Sequence, residues 1–287
     1  MAVKQLPLTG PVVKKSNVLA RATWSPESIW ETRLIALVAA KIRVDDKDFA
    51  EYEIPVSELL QQHGGGRDYQ ELLIVIDRVM SRVLTIKEEN GWVKYNIFSR
   101  CRYLLGLGVV QVSFHPDLKP HFLNLKERFV QYNLIEYMLL PSVYSQRIYE
   151  FLMSWKGVAE YEISVEELHE MLDTPETYRK DFNVMRCRIL DKAQTDITTK
   201  TMLDYVWEPI KKGRRVVAIK FIFDRKKIKQ DRKDVEKEVK QALVNANNKI
   251  ALEVVRCTEQ KQGKCQRDNK KSICEACEKM GMAPCSA

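Results

Sequence analysis

The sequence contains no run of about 18 apolar residues, the length that a membrane-spanning helix needs. Its first ten residues, Met1 to Gly10, also lack the apolar core of a secretory signal peptide. We therefore expect a protein that stays in the cytoplasm without membrane contact. Thiols remain reduced there, so disulfide bonds between its cysteines are not expected.

Motifs for catalysis are also missing. The four histidines, at positions 63, 115, 121 and 169, never occur in the His-hydrophobic-His spacing of a metal-dependent DNA nickase. No segment fits the phosphate-binding pattern G-x-x-x-x-G-K-[ST], and the run Gly64-Gly65-Gly66-Arg67 does not match it either. No paired carboxylates or Ser-His arrangement stand out. The sequence predicts a protein that is not an enzyme and requires no cofactor.

Positive charge is in excess and is concentrated in one region. The chain has 47 Lys and Arg against 39 Asp and Glu, a net charge of +8. Residues 211–240 alone hold 13 basic and 5 acidic residues, which is also a net of +8. A local basic segment is typical of a surface that binds phosphates, whereas a solubility coat is spread evenly.

One segment occurs twice, 109 residues apart. Residues Glu51–Leu59 match Glu160–Leu168 at seven of nine positions, and Tyr69 meets Tyr178 at the same offset. Two copies indicate a duplicated unit and not a solenoid.

The order of elements is the same in both units. Each begins with an amphipathic helix (Arg33 to Ile42; Ser145 to Trp155), followed by a short strand and a helix opening at Pro55 or Ser164. Ser164 and Glu167 have capping-box spacing. A third helix follows, from about Asp68 to Arg82 and from about Pro175 to Lys192. A hairpin closes each unit, around Asn90-Gly91 in the first and around Gly213 in the second. This order predicts an α+β protein with two tandem winged-helix domains, a variant of the helix-turn-helix that binds duplex DNA.

The third helix of the second unit has the composition of a recognition helix. At 100° per residue, one face carries the predicted core residues Tyr178, Phe182, Met185, Ile189 and Ala193. The opposite face carries Lys180, Asn183, Val184 and Cys187, and its flanks carry Arg179, Arg186 and Arg188. Asn and Arg can make bidentate contacts to base edges, and Lys and Arg reach phosphates. The alternative is an ordinary solvated helix face.

The predicted hairpin of the second unit has a basic tip. Lys211, Lys212, Arg214 and Arg215 surround Gly213 and predict a wing that touches phosphates; a solvated turn is the alternative. The first unit is less basic. Its candidate DNA contacts are Arg67, Gln70, Arg78, Arg82 and Lys94, and it either binds DNA more weakly or serves as a protein interface.

A charged C-terminal extension is followed by a cysteine-rich tail. Five of the seven cysteines lie in the last 31 residues. Cys274 and Cys277 have the spacing of half a zinc knuckle, and Cys265 with Cys285 would complete four thiolates around a structural zinc ion. The competing interpretation is a flexible, reduced tail without metal.

Four stretches resemble the iteron-binding replication initiators of bacterial plasmids, the Rep family. Tyr144–Leu152 is similar to that family's "YSxRLYELL" helix, and Leu190–Ile197 is similar to its "LxxAxxEIN" stretch. Lys212–Phe221 is similar to the strand "KGRKVxxIxF", and Phe114–Pro120 is similar to the "FxxxLxP" that closes the first domain. The sequence departs at Asp196-Ile197-Thr198, where the family often has Glu-Ile-Asn. The resemblance covers roughly residues 12 to 225.

The resemblance implies a plasmid replication initiator. Such proteins bind directly repeated origin sites (iterons), help open adjacent AT-rich DNA and recruit the host helicase machinery. They also dimerise through the first domain and bind an inverted repeat to repress their own gene. The implied organisation is an N-terminal arm (1–23), a first winged-helix domain for dimerisation and secondary DNA contact (24–136), a second winged-helix domain for the main DNA contact (137–228), and a charged linker with the tail (229–287). The alternative is a tandem winged-helix transcriptional regulator without an origin role.

Overall fold

The computed structural model describes residues 10–60, 66–104 and 106–223. Its helices are α1 (Asn17–Arg21), α2 (Ile29–Ala39), α3 (Val56–Leu60), α4 (Gly66–Ser81), α5 (Lys119–Phe122), α6 (Leu134–Leu139), α7 (Val143–Met153), α8 (Val165–Leu172), α9 (Glu176–Lys180), α10 (Phe182–Met185) and α11 (Asp191–Lys200). Its strands are β1 (Val12–Ser16), β2 (Tyr52–Pro55), β3 (Val83–Glu88), β4 (Gly91–Asn96), β5 (Phe98–Leu104), β6 (Val109–Phe114), β7 (Phe129–Asn133), β8 (Glu160–Ser164), β9 (Val206–Lys212) and β10 (Arg215–Ile222).

The two units share one topology. In the first, the antiparallel sheet has the order β2-β6-β5, and in the second it has the order β8-β10-β9. Each sheet joins the short strand before the second helix to a later hairpin. The prediction of two winged-helix units is therefore confirmed.

The repeated sequence is the strand and helix that close each core. Ile54 and Ile163 lie on the inner faces of β2 and β8, with exposures of 0% and 7%. Leu59 and Leu168, on the helices that follow, are completely buried. Replacing a buried leucine with alanine costs about 2–5 kcal/mol, so packing accounts for the repeat without reference to DNA.

Local capping fixes where the helices begin. The Ser164 hydroxyl accepts the Glu167 amide at 3.1 Å, and the Glu167 carboxylate accepts the Ser164 amide at 3.2 Å, so the predicted capping box is present. At α2 the Glu31 carboxylate accepts the Ser28 amide at 3.0 Å, and the helix begins four residues before the predicted start. α7 likewise spans Val143–Met153, two residues earlier than predicted, because the Ser142 hydroxyl accepts the Ser145 amide.

Strands outside the repeat complete the first unit. β1 pairs with β7, so residues 12–16 of the predicted N-terminal arm belong to a sheet. β3 and β4 form a separate two-stranded hairpin around the predicted Asn90-Gly91 turn. No helix within the described ranges is both long and apolar enough to cross a membrane.

Candidate nucleic-acid interface

The third helical segment of the second unit is not one continuous helix. The prediction of a single helix from Pro175 to Lys192 is wrong, because the chain leaves helical geometry at Asp181 (φ −131°, ψ 107°). The Asp181 carboxylate accepts the Asn183 amide at 2.8 Å and caps a new helix there. That helix runs through α10, a π-helical turn at Arg186–Leu190 and α11 to Lys200, eight residues beyond the predicted end.

The predicted core face of this segment is confirmed beyond Asp181. Met185, Ile189 and Ala193 are buried to 1% exposure or less, whereas Tyr178 and Phe182 are half-buried. Leu190, the last residue of the π-helical turn, is buried as well.

The opposite face of α10 and the π-helical turn is polar and open. Asn183, Arg186, Cys187 and Arg188 are exposed. Arg186 lies 3.8 Å from the Asp191 carboxylate, a long contact between exposed groups. Arg188 forms no ion pair or side-chain hydrogen bond with any residue that the structure describes. Its guanidinium is therefore available to a ligand.

Arg179 is placed differently from the prediction, since its guanidinium turns toward the protein. Nε donates to the carbonyl oxygen of Thr174 at 3.0 Å, and a terminal nitrogen donates to the carbonyl oxygen of His169 at 3.4 Å. The Arg179 side chain thereby fixes the turn between α8 and α9. Lys180, in contrast, is exposed and lies 3.8 Å from Glu176 on the same short helix.

His169 contributes to the same turn from the buried side. Its Nδ1 lies 2.5 Å from the Thr174 hydroxyl. Burial lowers the pKa of His169 below its usual value, and the positive charge of Arg179 lowers it further. A neutral imidazole is therefore part of the support beneath the helix that follows.

The wing of the second unit is the β9–β10 hairpin. Gly213, with φ +64°, occupies a left-handed position at its tip, which a side chain would strain. Lys211, Lys212, Arg214 and Arg215 are exposed, and among the residues described in the structure none of them has an ion-pair partner. Lys220, further along β10, instead contacts Glu160 and Glu162, each at 3.1 Å. Within this hairpin, the positive charges without a described ion-pair partner thus lie at the tip.

In the first unit, the candidate cations Arg78, near the end of α4, and Arg82, directly after it, are held by carboxylates. Arg82 contacts Glu27 at 2.7 Å and Glu31 at 2.8 Å, and its side chain is only 16% exposed. Arg78 lies 3.3 Å from Glu27. Arg67 and Gln70 belong to the first turns of α4, but their side chains lie outside the described part of the structure.

The hairpin that carries Lys94 is not the wing of the first unit. By topology the wing is β5–β6, because β6 pairs with β2 as β10 pairs with β8. Taking the Asn90-Gly91 hairpin as the closing hairpin is therefore wrong, although that hairpin exists. Lys94 lies with its Nζ 4.8 Å from the centre of the Trp92 ring. The prediction missed the cations of β5: Arg102 is exposed without an ion pair among the described residues, whereas Arg100 contacts Glu51. The repeat would have pointed to this hairpin, because the Tyr52–Ile54 strand needs a hairpin as its partner in the sheet.

The proposed zinc ligands Cys265, Cys274, Cys277 and Cys285 lie outside the described residues, as does the extension from residue 224. The zinc hypothesis remains a prediction. Within residues 10–60, 66–104 and 106–223, no group of three or more His, Cys, Asp or Glu residues is arranged to hold a metal ion.

Comparisons with known proteins agree with this architecture. The WH1 domain of the initiator replication proteins matches residues 12–153, and the WH2 domain of the initiator Rep proteins matches residues 164–223. The Pi initiator protein, solved in complex with iteron DNA, is 18% identical with a TM-score of 0.60, over 75% of this chain and 98% of its own.

Two further solved structures are similar over a smaller share of the chain and with lower TM-scores. The WH1 domain of a replication protein isolated from a multiple sclerosis patient is 21% identical (TM-score 0.24), over 32% of this chain and 78% of its own. Domains 2 and 3 of RctB are 13% identical (TM-score 0.41), over 67% of this chain and 80% of their own. The two family matches together span most of the described residues, and the chain belongs to the family of initiator replication proteins with WH1 and WH2 domains.

Proposed function

We propose that this protein initiates plasmid replication by binding directly repeated sites in duplex DNA through its second winged-helix unit. The observation that carries the proposal is the contrast between the predicted DNA-contacting cations of the two units that the structure describes. In the second unit, Arg188 and the four wing cations have no described partner, whereas in the first unit Arg78 and Arg82 are bound to Glu27 and Glu31. The WH1 and WH2 family membership and the fold shared with an initiator solved on iteron DNA support the origin role.

The residues have distinct parts in this proposal. Asn183, Arg186 and Arg188 lie along the major groove and contact base edges, because Asn and Arg offer bidentate donors to purines. Lys180 and the wing residues Lys211, Lys212, Arg214 and Arg215 contact phosphates, which supply affinity without sequence preference. The protein acts by binding and by recruiting host replication proteins, not by catalysis.

The role proposed for the first unit is self-association. α4 exposes Leu73 (37%) and Ile74 (48%), and the wing tip exposes Leu107 (51%). Apolar side chains on these elements suit contact with protein better than contact with phosphates. A dimer formed in this way binds an inverted repeat and represses the gene of the protein. Sedimentation analysis of the Leu73→Asp/Ile74→Asp variant tests the dimer, which this change should weaken.

Plasmid maintenance tests the proposal as a whole. A circular DNA that carries the gene and its flanking sequence, with no other origin, should replicate with the wild-type protein. It should be lost with Arg188→Ala/Arg214→Gln, a variant that keeps the wild-type melting temperature because neither side chain has a partner among the described residues. Maintenance at equal copy number with the variant would contradict the proposal, as would failure of the wild-type protein.

A further inference from the structure

Helix α7 lies between the two units and is buried almost along its whole length. Residues Ser145 to Met153 are all buried. α7 packs against α1, α2 and β7 of the first unit and against α11 of the second. Any group on α7 that bonds to both units therefore determines how they are placed relative to each other.

Arg147 is such a group. Its side chain is 1% exposed, and one terminal nitrogen donates to the carbonyl oxygen of Ala22 at 2.5 Å and lies 3.5 Å from that of Met171. Ala22 directly follows α1 in the first unit. Met171 lies in the last turn of α8, immediately before the turn that leads to α9 and the DNA-binding segment. One guanidinium thus joins the first unit to the base of the helix-turn-helix.

The surroundings hold this guanidinium in place. Glu150, one turn along α7, approaches the other terminal nitrogen at 3.4 Å, and the Trp24 ring centre lies 5.4 Å from Cζ. Glu150 also accepts hydrogen bonds from Lys15 at 2.6 Å and from Tyr132 at 2.5 Å. The cluster therefore includes strand β1, strand β7 and helix α7.

A buried charge cluster of this kind adds little to the free energy of folding. Desolvating a buried charge costs several kcal/mol, and apolar replacements of similar volume are often neutral or stabilising. Its distinctive property is direction: the planar guanidinium has donors at fixed angles, which a lysine ammonium does not reproduce. The geometry therefore suits setting an orientation more than adding stability.

We propose that Arg147 is a positioning residue for DNA binding: it sets the placement of the two winged-helix units that lets both engage one duplex site. Two exposed contacts join the same parts of the molecule, the Ser25 hydroxyl with the Asp173 carboxylate, and Lys87 Nζ with Glu170 at 2.5 Å. Exposed pairs contribute little, so among the described polar contacts that join the first unit to α8 and the turn after it, Arg147 provides the main restraint. The inference rests on the proposed function and adds to it a secondary DNA contact by the first unit, for which the exposed Arg102 on the wing strand β5 is available.

Hydroxyl-radical footprinting of the full chain tests this inference, with duplex fragments flanking its own gene as the probe. At each protected site, the wild-type protein should cover two adjacent segments, one per unit. Arg147→Lys should keep the segment bound by the second unit and lose the other. Its affinity should fall about tenfold or more, because the units no longer act as linked modules on one site.

Arg33→Lys is the matched control. Arg33 also donates to two carbonyl oxygens, of Met138 at 2.6 Å and Leu140 at 3.4 Å, and like Arg147 its Nε has no hydrogen-bond partner in the described structure. It joins α2 to the end of α6, both before α7 in the chain. Arg33→Lys should lower the melting temperature but protect both segments.

Each outcome decides the question. Protection of both segments by Arg147→Lys with the wild-type ratio would overturn the inference, whatever its melting temperature. If Arg147→Lys does not fold, Arg147→Met replaces it, since Glu150 keeps Lys15 and Tyr132 as partners and methionine donates to neither carbonyl. Absence of any protection by the wild-type protein would instead contradict the proposed function.

Discussion

Arg179 Nε donates to the carbonyl oxygen of Thr174 at 3.0 Å, so this arginine holds the turn of the helix-turn-helix and does not point toward a ligand. Nine residues later, Arg188 is exposed and has no partner in the described part of the chain. Two arginines of neighbouring helical turns therefore have different surroundings, and substitution can separate their effects.

Arg179→Ala should lower the free energy of unfolding by about 1–3 kcal/mol, because two carbonyl oxygens lose a charged donor. DNA affinity should then fall to the same extent on all sequences. Arg188→Ala should leave unfolding unchanged and cost about 1–3 kcal/mol on the specific site if it contacts a base. Denaturant titration and binding to specific and random duplexes measure both effects. Equal behaviour of the two variants would contradict this division.

The wing should determine the salt dependence of binding. The slope of log K against log salt is negative, and each phosphate contact that is lost makes it less steep by about 0.9. Lys212→Gln and Arg214→Gln should each produce this change. Lys126→Gln, an exposed cation of the first unit between α5 and β7, is the control and should leave the slope unaltered. An unchanged slope in both wing variants would show that the wing does not contact DNA phosphates.

Cys187 should act as a chemical probe of the DNA-binding face. It is exposed beside Arg186 and Arg188, whereas burial raises the pKa of the Cys101 thiol to about 12 and makes it unreactive near neutrality. Alkylation of the wild-type protein should therefore weaken DNA binding. The same treatment of Cys187→Ser, which retains the tail cysteines, should not. Full affinity after complete modification of Cys187 would place this face away from DNA.

The stability of the protein should decrease in mild acid partly through His169. Its folded-state pKa lies below 6.5, so the unfolded chain binds a proton more readily. The free energy of unfolding should therefore fall as the pH drops from 6.5 toward the folded-state pKa, and level off for this group below it. His169→Gln should show a shallower fall, though not a flat one, because burial also lowers the pKa of His121. An identical pH dependence of variant and wild type would exclude this role for His169.

The features predicted well from sequence are those with local or repeated patterns. Ile54 and Ile163 recur because each closes a core, and Ser164 with Glu167 forms a cap within four residues. The buried face of Met185, Ile189 and Ala193 follows directly from helical periodicity. These residues indicated two winged-helix units and the outward face of the helix that follows Asp181.

The features that sequence did not reveal depend on long-range contacts. The Asn90-Gly91 pattern indicates a hairpin but not its place in a sheet, and the wing of the first unit is defined by β2 pairing with β6 across more than fifty residues. The sequence alone allows Asp181 in the interior of a helix. The break occurs because its carboxylate accepts the Asn183 amide and starts a new helix. Arg82 is held by two carboxylates and Arg179 by two carbonyl oxygens. The pattern of charges in the sequence does not distinguish such paired arginines from free ones.

Footprinting the wild-type protein on the DNA that flanks its own gene tests the central claim most directly. The account predicts protection of several directly repeated sites beside an AT-rich segment, and loss of that protection with Arg188→Ala/Arg214→Gln. Protection of a single inverted repeat and nothing else would instead indicate a transcriptional regulator and contradict the initiator function.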